Sequence, residues 1–226
     1  MINKYLSNRS LVLYFIPFIL GCLTVLSFQP FNYTFVNFII LPFIFYFIIF
    51  IKKKSKSKYR KKSYYKNLFI LGTSFGFGFY LSGLHWITHS LTFDENFKFL
   101  IPFALILIPL FLSLFFSIII ILIGPYLNLN YSSILIFSGA LAFSDFIRAK
   151  ILTGFPWNLW AYSFSWSTEI IQFLHLTGFF TFNLLIITLF VLPSVLFFKT
   201  SIQKKMFTLV SLCLLYTSDA ADDSLR

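Results

Sequence analysis

Few side chains in this sequence are able to do chemistry, and they fall in a handful of places. Asp145 and Arg148 stand three residues apart, so on a helix they share a face and can pair. His85 and His89 stand four apart, a spacing at which two neutral imidazoles on one helical face can hold zinc. No third ligand or neighbouring Glu accompanies them, so they read as interfacial polar residues and no metal site is assigned. Cys22 and Cys213 each lie inside an apolar stretch with no base or cation beside them. A thiol so placed is not activated, and two such cysteines build neither a disulfide framework nor a metal site. No catalytic residue is assigned, and no cofactor is called for.

The acid-base pair opens a longer stretch. After it, Gly154 supplies backbone freedom and Pro156 ends any helix, so a loop is expected that bears Trp157, Asn158, Trp160 and Tyr162. Aromatic rings with polar edges settle at the headgroup level of a membrane, and ionisable residues at a span end pair with one another. Asp145, Arg148, Pro156, Trp157, Asn158 and Tyr162 are therefore the residues of this stretch that could meet lipid headgroups. Ordinary membrane anchoring by an ion pair and an aromatic belt stands beside that reading.

The elements that must position these residues are apolar helices. Of 226 residues, 58% are hydrophobic, 22% aromatic and 11% charged, too apolar a composition for a soluble domain of this length. Apolar runs at 11–28, 35–51, 68–91, 99–123, 131–147 and 170–198 read as six spans. Within the first, Ile19-Leu-Gly-Cys22 resembles a loose lipoprotein-processing box, but 23–28 stays apolar where a mature lipoprotein turns polar, so a transmembrane helix is expected. Gln29, Pro30 and Asn32 make a tight turn after it. Gly72 and Gly76, four apart in the third run, let another helix approach closely. The fold class is thus all-α, a polytopic transmembrane helix bundle.

Net charge is +11, and fourteen of the eighteen basic residues fall in three places: the first ten residues, the loop 52–66, and the stretch after the sixth run. Topology accounts for that distribution without a nucleic-acid partner: by the positive-inside rule these segments are cytoplasmic, the N-terminus with them. The loop 154–163 then faces the opposite, periplasmic side. A seventh apolar run begins at 206 and stops at 215, too short to span at ~1.5 Å per residue. Residues 216–226 turn abruptly acidic, and the run from Cys213 onward looks like read-through of a sequencing adapter. Two parts are expected: a transmembrane domain over 1–215, with a truncated seventh span, and a non-native tail over 216–226.

Three separated blocks carry a resemblance. They are Leu26-Ser-Phe-Gln-Pro30; Gly76-Phe-Gly-Phe with Ser82-Gly83 and Trp86; and Asp145-Phe-Ile-Arg148 followed by Leu-Thr-Gly-Phe-Pro-Trp-Asn158 and Tyr162-Ser163, with Asn183-Leu-Leu beyond. Together they resemble the membrane domain of the bacterial apolipoprotein N-acyltransferases. Asp145 stands where that family usually has Glu, and His85 where Asn is common. The resemblance implies an enzyme of the bacterial inner membrane. Its nitrilase-like domain, absent from this chain, would form a thioester on a Cys from a phospholipid acyl donor and pass the chain to a diacylated apolipoprotein. It makes Asp145, Arg148, Pro156, Trp157, Asn158, Tyr162 and Trp86 the candidate lipid-binding or substrate-binding residues. Two other classes remain, a non-catalytic lipid-binding membrane subunit and a small transporter. The latter favours ionisable residues near span centres or two similar halves, and neither is found.

Overall fold

The computed structural model describes residues 11–58, 61–151 and 154–198 together with Lys205. The expected seventh run, Cys213 and the polar tail lie outside the described residues. Every regular element among the described residues is helical. A π-helical turn, Leu11–Phe15, leads into α1 (Ile16–Thr24), and a tighter turn, Val25–Ser27, closes it. Then follow α2 (Asn37–Lys58), α3 (Lys61–Leu84), α4 (Ile101–Ile123), α5 (Tyr131–Lys150), α6 (Thr168–Thr177) and α7 (Phe179–Val191).

Among the described residues, five helical stretches are long and apolar enough to cross a membrane: Thr34–Lys54, Tyr64–Thr92, Glu95–Ile123, Tyr131–Lys150 and Phe179–Phe197. The first expected span is a shorter apolar helix, Leu11–Ser27. The sixth is shorter than its apolar run. Gly178, at φ 76°, ends α6 in a backbone region that side chains disfavour, and α7 begins afresh on the far side of it. At ~1.5 Å per residue the ten residues of α6 reach only about 15 Å, half a hydrocarbon core. Glu169, Gln172 and His175 are spaced along it, and none of its residues is buried. The basic stretch 52–66 also differs from a simple loop, since α2 runs on to Lys58 and α3 starts at Lys61.

Packing centres on α3, which uses glycines on two faces. Toward α1, a Cβ on Gly21 would meet the Phe75 carbonyl oxygen, and one on Gly78 would meet that of Phe18, so each helix lays a glycine on the other's backbone. Toward α4, a Cβ on Gly72 would lie 2.7 Å from Ser117 Cα and one on Gly76 2.9 Å from Ser113 Cα. The Thr73 and Ser117 hydroxyls hydrogen-bond at 2.7 Å across the same seam. Where lipid and helix are equally apolar, such close approach and interhelical hydrogen bonds are what hold helices together.

The connections sort onto two faces of the bundle. On one, Lys52 Nζ donates to the Leu127 carbonyl at 2.8 Å, joining the end of the second span to the turn before α5. On the other, the turn after α1 meets the segment after α5. Thr34 Oγ1 donates to the Ser163 carbonyl at 2.7 Å and accepts from Trp166 Nε1 at 2.9 Å. Trp86, from the tight helix His85–Thr92, meets Trp157 edge to face at 5.5 Å on that same face.

The α3–α4 seam yields a direct test. Gly76→Leu forces overpacking that costs about 1–3 kcal/mol, expected as a lowered unfolding midpoint in detergent. Gly139→Leu, at a position with nothing within 4 Å of its would-be Cβ, leaves the midpoint in place; equal losses in both would show that the seam is not tightly packed.

Candidate functional site

The site begins at the end of α5. Three residues of separation bring Asp145 and Arg148 onto one face, where Arg148 Nη2 lies 3.1 Å from Asp145 Oδ1. Both side chains are buried, Arg148 at 1% exposure and Asp145 at 7%. The pair therefore lies within the bundle, where unmet charge is costly and neighbours must satisfy every polar atom. Asn183 of α7 supplies one neighbour, its Nδ2 donating to Asp145 Oδ2 at 2.9 Å. Its Oδ1 accepts from the Ala161 backbone N–H at 2.9 Å, so one amide bridges the carboxylate and the loop.

Arg148 reaches the loop from the other side. Its Nη1 donates to the carbonyls of Phe155 and Trp157, both at 2.8 Å. These bonds hold a segment with two left-handed positions, Gly154 at φ 86° and Asn158 at φ 55°. The Tyr80 ring of α3 lies 5.3 Å from Arg148 Cζ, a cation–π contact. Next to it Trp160 is buried and stacks on Phe79, centroids 5.4 Å apart and planes 4° apart.

The candidate residues divide by burial. Asp145 and Arg148 form the buried support. Pro156 and Trp157 are exposed, and Asn158 packs its amide against Gly83 of α3. Trp86 and Trp157 form an aromatic edge, 46% and 51% exposed. Tyr162 lies apart from them, its ring 5.1 Å from Phe179. Partial burial pushes its hydroxyl above the usual phenol range, the Arg148 charge opposing, so it is a neutral donor at neutral pH. His85 turns its Nδ1 to the Ser82 carbonyl at 2.8 Å. Among the described residues no three His, Cys, Asp or Glu side chains come together.

Sequence reading missed Tyr80 and Thr34 as partners of this stretch and valued Asn183 only as part of a block. Nothing local marks them: Asn183 is 38 positions from Asp145, and Thr34 is 129 from Ser163. A buried amide in an otherwise apolar helix was the one available signal.

A family model described as the apolipoprotein N-acyltransferase N-terminal domain matches residues 20–215. That covers most of the chain. The chain belongs to the apolipoprotein N-acyltransferase family. Among its relatives, a protein named apolipoprotein N-acyltransferase from Rickettsia prowazekii is 33% identical over 198 residues, 87% of this chain and 37% of that protein. Its namesake from Rickettsia typhi is 36% identical over 173 residues, 76% and 32% of the two chains. One from Rhodopseudomonas palustris is 30% identical over 182 residues, 80% and 33%. The chain thus spans about a third of the length of the curated relatives it matches. Within this N-acyltransferase family domain, the matched region includes the whole Asp145–Arg148–Asn183 network.

Removing one member of that network tests its weight. Asp145→Asn leaves Arg148 short of a counter-charge and costs about 3–5 kcal/mol, expected as a large fall in unfolding midpoint together with a red-shifted emission from the buried Trp160. A midpoint within the error of the parent would refute the dependence of the loop on this ion pair.

Proposed function

We propose that this chain is the membrane domain of an enzyme that moves an acyl chain from phospholipid to the N-terminal diacylglyceryl-cysteine of lipoproteins. The observation that carries this is the family match across residues 20–215. The chemistry consistent with it has two half-reactions. A thiolate in the nitrilase-like domain attacks the phospholipid ester, forming a thioester and releasing lysophospholipid. The lipoprotein amine then attacks the thioester, forming an amide and returning the thiol. Both steps need an activated thiol and donors for an oxyanion, and no residue of this chain is assigned either task.

This chain's own part is to sit in the bacterial inner membrane and shape the mouth where lipid and acceptor reach that domain. Asp145 and Arg148 are the support of the mouth; Pro156, Trp157, Asn158, Tyr162 and Trp86 are its surface. Exposed indole rings on one face, held edge to face over a buried ion pair, favour this reading, because amphipathic rings bind at the level of ester and headgroup. The N-terminus and the basic stretch 52–66 are cytoplasmic and the loop 154–163 periplasmic, a threading supported by where the Lys and Arg residues lie and by the two-faced sorting of the connections.

Two experiments follow. In the full-length gene, Trp86→Ala and Trp157→Ala keep the unfolding midpoint and lower lipoprotein N-acylation about tenfold, ~1.4 kcal/mol, read by mass spectrometry of the modified N-terminus; unchanged acylation in both removes the mouth role. For the threading, a cysteine-free background carrying Pro156→Cys reacts with a membrane-impermeant maleimide added outside spheroplasts, and one carrying Lys56→Cys reacts only after lysis. The reverse pattern inverts the topology.

A further inference from the structure

The short helix α6 occupies neither of the two usual places for a helix in a membrane protein. At ten residues it is too short to span, and none of its residues is buried in the bundle. A helix of that length is marginal in water by its own propensity, so its surroundings must hold it. Turned at ~100° per residue, its sequence presents three flanks roughly a third of a turn apart. Ile170, Ile171, Leu174 and Thr177 form the back, partly buried against the bundle. Thr168, Gln172 and His175 form a polar flank, all exposed. Phe173 and Leu176 form an apolar flank, 51% and 79% exposed. Glu169 opens that last flank, but its carboxylate accepts from the Ser167 and Thr168 hydroxyls at 2.9 and 2.7 Å, back at the start of the helix.

Both ends of α6 are tied to one level. Just before it, Trp166 Nε1 donates to Oγ1 of Thr34, the first residue of the span Thr34–Lys54. Just after it, Gly178 turns the chain, Phe179 lies 5.1 Å from Tyr162, and Phe180 lies 5.0 Å from Phe146 near the end of α5. The helix therefore begins and ends where spans end, and it runs along the membrane plane. In that orientation its flanks make opposite demands. Exposed Phe173 and Leu176 are costly in water, and Gln172 and His175 are costly in hydrocarbon. One depth satisfies both, the boundary between headgroups and acyl chains. No Lys or Arg lies on α6, so no headgroup charge is asked for.

We propose that α6 is an in-plane membrane anchor, and that its partner is the bilayer boundary in the leaflet beside the loop 154–163. The back of the helix rests on the bundle, its polar flank faces headgroups and water, and Phe173 and Leu176 enter the acyl layer. The segment from Trp166 to Phe179 is thereby held at the level of the exposed indoles. The inference stands on α6 itself and goes beyond the acyl-transfer reading: no lipid is recognised as a substrate here, and no covalent step occurs.

Collision accessibility of nitroxide labels on the full chain tests it. Gln172→Cys, Phe173→Cys, His175→Cys and Leu176→Cys are made singly in a cysteine-free background, labelled, and reconstituted in phosphatidylethanolamine and phosphatidylglycerol vesicles. Each label is read against molecular oxygen, which concentrates among acyl chains, and against a nickel chelate that stays in water. The oxygen-to-nickel ratio is expected to be several-fold higher at 173 and 176 than at 172 and 175. Free access of nickel to all four positions would place α6 clear of the membrane. Shielding of 173 and 176 from both reagents would mean that protein covers the flank, either a further part of the polypeptide or a second copy; each of these results overturns the proposal. Adding Leu176→Glu is expected to lower the ratio at 173 several-fold while His175→Glu leaves it in place, and equal ratios in the two would show that the bilayer does not hold the apolar flank. The pattern is expected to persist in vesicles of an ether-linked phosphatidylcholine, which has no ester from which to give up an acyl chain. A pattern confined to phosphatidylethanolamine would make the contact the recognition of one lipid, which overturns the anchor. Depth is read here without turnover, so the anchor and the acyl-transfer reading can each fail alone.

Discussion

One guanidinium sets the terms for one end of this bundle. Arg148 is buried, and a buried cation is tolerated only where acceptors surround it. Asp145 balances its charge and accepts from its Nη2, and the Phe155 and Trp157 carbonyls accept from its Nη1. The dependence runs both ways. Those two carbonyls belong to a non-helical segment, and non-helical backbone next to a membrane must find partners inside the protein. Replacing the ion pair by apolar side chains of like volume, often harmless elsewhere, would here leave loop carbonyls unpaired. Asn183 closes the circuit by serving the carboxylate and the Ala161 N–H at once.

That circuit stands on an apolar frame with its own requirement. Tyr80 and Phe79, which meet Arg148 and Trp160, sit on α3. They are brought to the correct depth because α3 is clamped between α1 and α4 through Gly21, Gly78, Gly72 and Gly76. A wider helix spacing would move both rings away from the loop. Packing of small residues in the span and satisfaction of charge at its end are thus one problem, joined along a single helix.

What the sequence alone made legible follows the range of each interaction. The Asp145–Arg148 pair is local, so helical periodicity sufficed, and its later geometry agrees. The apolar runs are also local properties, and five of them are long apolar helices. The break at Gly178 was not legible, because hydropathy sums side chains and is blind to one residue's φ; a glycine inside a 29-residue run looks like any other small residue. The histidines were read as sharing a face of an α-helix, whereas the chain tightens to about three residues per turn from His85 onward, which rotates His89 away. Contacts such as Thr34 with Ser163 depend on how spans assemble, which no window of sequence contains.

The same geometry bears on whether the charged residues move. Transport through a membrane protein needs a second arrangement of its ionisable groups that is close in free energy to the first. For Arg148 every alternative rotamer gives up a carboxylate and two carbonyls together, and leaves Asp145 with Asn183 alone. A side chain held by that many partners is a fixed element, suited to positioning a loop or a ligand and unsuited to a conducting path. Exposure is concentrated instead at the indoles of Trp86 and Trp157 and along α6, which buries none of its residues. A buried charged support beneath an exposed amphipathic edge is the arrangement that the proposed lipid mouth requires.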